Sequence, residues 1–361
     1  MTHPNPRPSR RDDDLAVALV LPAQGPAGVY GPSCQVSAQL AIEEINATTG
    51  VRGRRIRAVE VDGGRNPEAV AAEVDGLTTA GAIDAVVGWH ISAVRQAIVA
   101  RLQGRLPYVY TTVYEGGETS ADVFVTGETP GNQLLPGMAW LRDELGTRRW
   151  FVVGNDYVWP HRTAAKARGY ARDLGGELVG ETYVPLGTSD FSRALDLLER
   201  SGADTVLMFL IGQDMVDFNR QFAARGLDAQ LLRFSTMVDE NALLGIGADG
   251  TRHLYAAAGY FGALATEGSL DFVGRITRRF GAFAPPCTNQ GESCYEGVHL
   301  LGQLLGSRRD RDEPLLAVAE RLRYESPRGD VRLRSNHVQQ PVYMAVADGL
   351  DFDVAAQLHT A

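Results

Sequence analysis

Lysine is nearly missing from this chain. Of the 35 Lys plus Arg in 361 residues, only Lys166 is a lysine, so a phosphate-loop lysine or a Schiff base would have to use that one residue. It lies in the Ala/Arg-rich stretch Ala164 to Leu174, which reads as a solvated helix, and the wealth of Ala, Gly and Arg reflects GC-rich coding. Cysteine is scarce too. Cys34, Cys287 and Cys294 are an odd number, at spacings that fit neither a disulfide framework nor a zinc site. Cys287 and Cys294 are near enough in sequence to pair in an oxidising compartment, and a reduced pair is expected. Positive charge is in deficit: the net charge of −9 has the wrong sign for a protein whose main partner is nucleic acid. No apolar run approaches the roughly 18 residues of a membrane-spanning helix.

Reactive motifs are equally thin. Gly245-Ile-Gly247-Ala-Asp-Gly250 is a literal GxGxxG, but it follows a helical stretch and opens no helix, so it is a turn. His-Glu-x-x-His and close Cys/His sets are absent, which leaves no metal centre to expect. Gly291-Glu292-Ser293-Cys294 resembles half of a nucleophile elbow without its strand. It reads instead as the cap of a helix starting near Cys294, with Ser293 or Asn289 capping. No cofactor and no catalysis are expected; an enzyme would have to use His90 with Glu115.

What the chain does contain is a rhythm. Short β-branched runs end in Gly-rich or polar turns that lead into amphipathic helices: Leu15 to Leu21, Ile56 to Val61, Ala85 to Val87 and Tyr108 to Tyr110. A second series holds Trp150 to Val153, Glu181 to Val184, Thr205 to Ile211 and Leu231 to Phe234. Continuous apolar strands alternating with helices mean parallel sheets covered on both faces. The fold class expected is therefore α/β, with two doubly wound parallel-sheet lobes joined by a multi-strand hinge. Residues 15–127 plus 257–325 form lobe one, and 128–256 plus 326–361 form lobe two. Gly329 to Leu333 and Val342 to Ala347 form an antiparallel tail. Residues 1–14, with Arg10-Arg11 before Asp12 to Asp14, read as a disordered tail rather than a signal, because the first apolar run is too short for one. The expected location is cytoplasmic, with an extracytoplasmic protein whose signal was removed as the alternative.

In open parallel sheets the ligand lies beyond the carboxyl ends of the strands. That rule selects Gly25–Gly31, Asp62–Asn66, Trp89–Ser92, Thr111–Glu115, Asn155–Trp159, Gly212–Gln213 and Ser235–Thr236. Rings and hydroxyls dominate there, a mixture suited to a small polar ligand whose shape is matched by aromatics and whose orientation is set by hydrogen bonds. The expected ligand-binding residues are Trp89, His90, Ser92, Tyr110, Thr111, Thr112, Tyr157, Trp159, Gly212 and Thr236. Asp156 and Glu115 are the carboxylates best placed to meet a ligand ammonium or amide N–H, and His161 is a further candidate for the cleft wall.

Leu19-Val-Leu-Pro-Ala-Gln-Gly-Pro-Ala-Gly-Val-Tyr-Gly31 with Ala41-Ile-Glu-Glu-Ile-Asn46 resembles the opening of the type I periplasmic binding proteins, receptors for branched-chain amino acids, amides and urea. Tyr110-x-Thr112-x-Tyr114-Glu115-Gly116, Gly154-x-Asp156-Tyr157-x-x-Pro160 and Ser326-Pro-Arg-Gly-x-Val331 with Asn336-His337 are similar to the amide-binding branch, which includes the cytoplasmic amide sensor and negative regulator of the aliphatic amidase operon. The resemblance runs from Leu15 across nearly the whole chain. It implies a ligand surrounded by Ser92, Tyr110, Thr112, Tyr157 and Trp159, with Thr236 a looser match. It departs at His90 and Trp159, where that branch has tyrosines, and at Val113, where it has a proline. It further implies a non-catalytic receptor that closes on a short amide, urea or an amino acid. Such a receptor would be a sensor regulating amide or nitrile metabolism or, alternatively, the substrate-binding protein of an ABC transporter. A regulatory protein or a permease would be its partner, and a homodimer is also open.

Overall fold

In the computed structural model, residues 14–310 and 312–359 are described. The expected tail 1–14 lies outside them except for Asp14, which opens the first strand. The run Asp14–Leu21 (β1) is buried from Leu15 onward. It has parallel neighbours on both sides, β2 (Arg55–Asp62) and β3 (Ala85–Gly88). An apolar strand with no polar face must be covered on both sides, and three helices supply part of that cover: α1 (Gly31–Ala47), α2 (Pro67–Thr79) and α3 (Ser92–Leu102). Strands β4 (Tyr108–Tyr110) and β5 (Val123–Val125) extend the parallel set.

The chain then crosses to the second lobe. There the order is α4 (Leu134–Leu145), β6 (Arg149–Asn155), α5 (Val158–Asp173), β7 (Glu177–Val184), α6 (Ser192–Glu199), β8 (Thr205–Phe209), α7 (Gly212–Ala224), β9 (Leu232–Ser235), α8 (Glu240–Ile246) and β10 (Leu254–Ala258). It crosses back for α9 (Glu267–Phe280), α10 (Asn289–Gly306), α11 (Leu315–Ala319), β11 (Arg323–Ser326), β12 (Gly329–Arg334) and β13 (His337–Gln339). A third crossing delivers β14 (Val342–Asp348) and β15 (Asp351–Leu358) to the second sheet. Among the described residues the sheets run β11-β12-β13-β5-β4-β3-β1-β2 and β15-β14-β10-β9-β8-β6-β7. Two α/β lobes joined by three crossings is the expected class.

The tail differs from expectation. The sequence places residues 326–361 in the second lobe, but pairing divides them: β11 to β13 join the first sheet through His337 opposite Val125, and only β14 and β15 join the second. The two expected tail strands are each antiparallel, but not to each other. β10 (Leu254–Ala258) lies between β9 and β14 in the second sheet. Thr288, not Ser293 or Asn289, caps α10, accepting from the Gly291 N–H at 3.1 Å. The three cysteines are free.

The crossings share one anchor. Glu128, on the first, accepts from the Gly259 N–H of the second (2.8 Å) and from the Gln340 amide of the third (3.2 Å). It also accepts from Asn289 (3.3 Å) and lies 3.4 Å from the Arg328 guanidinium. Arg328 bonds Glu292 as well, and the side chains of Arg328, Glu128 and Glu292 have no solvent exposure.

Candidate functional site

The first lobe presents the loops after β1, β3 and β4. Trp89 is buried, and its ring lies 4.7 Å from that of Tyr30. Ser92 opens α3 and donates to the Glu115 carboxylate at 2.6 Å. Glu115 is further held by Arg95 at 2.8 Å and by Gln96 at 3.3 Å. A carboxylate with three protein donors is committed to its own lobe, so the placement of Glu115 differs from the expected role of meeting a ligand. The Tyr110 hydroxyl and Thr112 Oγ1 both donate to the His90 carbonyl, at 2.9 and 3.0 Å, and Thr112 Oγ1 accepts from the His90 N–H. Thr111 turns to the opposite face, where its hydroxyl meets the Gly88 carbonyl at 3.2 Å and Cys294 at 3.5 Å.

His90 itself points into its lobe. Its Nε2 lies 2.8 Å from the Tyr108 hydroxyl and its Nδ1 3.3 Å from the Ile91 carbonyl. Burial lowers its pKa to about 3. The ring is therefore neutral near pH 7, with Nδ1–H donating to Ile91 and Nε2 accepting from Tyr108. Its backbone, not its imidazole, organises the cleft-side hydroxyls, and no hydrogen bond joins it to Glu115.

The second lobe answers with the loops after β6, β8 and β9. Tyr157 and Trp159 sit at the start of α5 with ring centroids 6.3 Å apart, and Trp159 lies edge-on to Phe209 at 5.8 Å. Burial raises the Tyr157 hydroxyl pKa, and Tyr110, Tyr30 and Glu115 of the first lobe raise it further. The indole nitrogens of Trp89 and Trp159 are buried without a hydrogen-bond partner. Thr236 is buried, and its carbonyl accepts from Gln133 at 3.1 Å. Asp156 is exposed and bonded to His161, which is also exposed, so neither lines the interior.

Four hydrogen bonds among the described residues join the lobes across the cleft. Tyr30 accepts from the Gly212 N–H at 2.9 Å and donates to the Met237 carbonyl at 3.3 Å. Asn241 donates to the Ser33 hydroxyl at 2.9 Å, and Lys166 to the Glu115 carbonyl at 2.8 Å. Sequence reasoning selected the Gly25–Gly31 loop but no side chain in it; Tyr30 is the ring of that loop. It also missed that Lys166, exposed as expected, reaches the other lobe. Among the described residues no group of three or more His, Cys, Asp or Glu is placed to hold a metal ion, and no helix is long and apolar enough to cross a membrane.

The family model described as "Periplasmic binding protein" matches residues 14–351, and the chain belongs to that family. A curated relative, the Leu/Ile/Val-binding protein homolog 6 of Brucella melitensis, is 24% identical over 351 residues, covering 92% of this chain and 87% of its own. A solute binding protein of an ABC transporter from Rhodopseudomonas palustris, solved with p-hydroxybenzoic acid, superposes with a TM-score of 0.86 at 21% identity, covering 97% of each chain. The branched-chain amino acid transporter substrate binding protein of Streptococcus pneumoniae, solved with isoleucine, gives 0.81 at 19% identity, covering 96% of this chain and 99% of its own. The family and these neighbours are binding proteins. The amide-binding branch indicated by the motifs is not distinguished by these matches.

Proposed function

We propose that this chain is the substrate-binding protein of an ABC transporter, closing its lobes on one small organic molecule and presenting it to a permease. The observation that carries the reading is the meeting of strand-end loops from both lobes: Trp89 with Tyr30 on one side, Gly212 and Met237 on the other. A ligand enclosed there would touch both lobes, so its binding energy would favour the closed state over the open one. The names of the relatives and solved neighbours, Leu/Ile/Val-binding proteins and aromatic-acid and isoleucine receptors, point to the same class of cargo. The ligand residues are Trp89, Ser92, Tyr110, Thr112, Tyr157, Trp159, Gly212 and Thr236, with the His90 backbone and Thr111 holding the first-lobe loops in shape. Calorimetric titration with leucine, isoleucine, valine, benzoate and 4-hydroxybenzoate is the test. Saturable heat with at least one compound, lost in Trp159→Ala, is expected; no heat with any, after denaturant stripping of carried-over ligand, overturns it.

A second reading has its own support. Ser92, Tyr110, Thr112 and Tyr157 form the residue set that the amide-sensor resemblance calls for. On that reading the chain senses a short amide or urea in the cytoplasm and regulates amide or nitrile metabolism through a protein partner. Acetamide and urea belong in the same titration. Fractionation of the source cell separates the two readings, because a transporter receptor is extracytoplasmic and the sensor is not.

A further inference from the structure

Helix α7 starts at the cleft with Gly212, whose backbone N–H has no acceptor within its own helix. The acceptor it uses belongs to the other lobe: the Tyr30 hydroxyl at 2.9 Å. Tyr30 is completely buried, its ring is packed on Trp89, and its proton goes to the Met237 carbonyl beyond β9. One side chain of the first lobe thus satisfies a donor and an acceptor of the second. Gly212 makes the approach possible. A Cβ placed on it would fall 1.7 Å from the Pro26 carbonyl oxygen, a backbone atom of the first lobe that cannot swing aside, and Gly212 has φ +52°. Any side chain at 212 therefore collides with the first lobe when the lobes are closed and escapes the collision when they part.

We propose that Tyr30 and Gly212 form the contact that sets the closed position of the lobes: Tyr30 caps α7 from across the cleft, and Gly212 is its side-chain-free receiving point. Tyr30 is a positioning residue for ligand capture. It acts on how often and how long the lobes are shut, and on a bound molecule only through that equilibrium. The inference rests on the receptor reading for its functional meaning, but the contact is testable without any ligand.

The decisive variant is Tyr30→Phe, which keeps the ring on Trp89 and removes only the hydroxyl. Small-angle X-ray scattering of ligand-stripped protein should show a larger radius of gyration than wild type. Amide hydrogen exchange at Gly212 should accelerate about three- to tenfold, the range one hydrogen bond supports. Exchange within β1 and β8 should be unchanged, which separates opening from unfolding. Gly212→Ala should open the molecule at least as far while leaving Tyr30 intact, and it carries the test if Tyr30→Phe fails to fold. Scattering indistinguishable from wild type in the folded variants, with Gly212 exchange unaltered in Tyr30→Phe, overturns the proposal. Opening of the variants, with no heat from any compound titrated into the wild-type protein, would support the contact and count against the receptor reading alone.

Discussion

Across the cleft, the hydroxyl of Tyr30 meets the backbone of Gly212 and Met237, and the amide of Asn241 meets the hydroxyl of Ser33. At the hinge, by contrast, the ionisable side chains of Glu128, Glu292 and Arg328 meet without solvent exposure, and burial raises the Glu292 carboxyl to about 8 although Arg328 lowers it. The difference follows from what each region must do. A neutral hydrogen bond broken by lobe opening is exchanged for one to water at small net cost. A buried ion pair broken in place leaves an uncompensated charge and costs several times more. The cleft can therefore open and shut, whereas the hinge is tied by groups too costly to separate. Glu128 bonding all three crossings lets them flex about one point instead of sliding past each other.

The largest effect should come from the hinge. Arg328→Met leaves Glu128 and Glu292 buried without their cation and should cost about 3–5 kcal/mol in urea unfolding. Adding Glu292→Leu should restore part of it. A loss no larger than that of cleft variants would erase the contrast between the regions.

The next effect is a pH slope. Where the second crossing packs on α8, burial lifts the Asp239 carboxyl to about 7 and that of Glu240 to about 8. Both bind their protons more tightly folded than unfolded, so the stability they contribute is full below their ordinary values of 3.8 and 4.5 and is lost as pH rises through about 7 and 8. Burial holds His90 near 3 in the fold, so the unfolded chain takes up its proton below about 6.5 and this group opposes the decline at the acid end of the window. The thermal midpoint should fall from about pH 5 to about pH 9, and Asp239→Asn with Glu240→Gln should flatten the decline. An equal slope in the double variant would remove these groups as its source.

Cleft variants come third. Ser92→Ala or Tyr110→Phe should each weaken ligand binding by roughly 0.5–1.5 kcal/mol and, because each hydroxyl also bonds a buried acceptor of its own lobe, lower unfolding stability by about 1 kcal/mol. A stability loss with no loss of affinity would mean that these hydroxyls serve the lobe rather than the ligand. Smallest of all, Lys166→Ala removes one exposed cation from a carbonyl and should change unfolding stability by under about 1 kcal/mol; chemical denaturation compared with wild type measures it.

The strands and the cleft were legible because their signals are local. An apolar run such as Leu15 to Leu21 specifies a doubly covered strand, and the strand-end rule then finds the loops that structure brings together around Tyr30, Trp89 and Gly212. The hinge was not legible. The segment from Gly329 to Gln339 alternates buried and exposed positions, which fits the margin of either sheet, and only the distant pairing of His337 with Val125 decides between them. Glu128 looks like an ordinary loop acid until Gly259, Gln340 and Arg328 arrive from three other places in the chain. The ring of His90 was misplaced for a related reason. A strand-end position says which loop a residue occupies but not which way its side chain turns, and Tyr108 turns this one inward.

The scarcity of lysine returns as an experimental opportunity. Lys166 is exposed, yet its ammonium rests on the Glu115 carbonyl of the opposite lobe. Apart from the chain's own α-amine it is the sole amine available to an acylating dye, since the other 34 side-chain cations are guanidinium groups. A fluorophore attached there would sit at the seam of the two lobes, and its brightness would follow their parting in real time, without engineering a single residue.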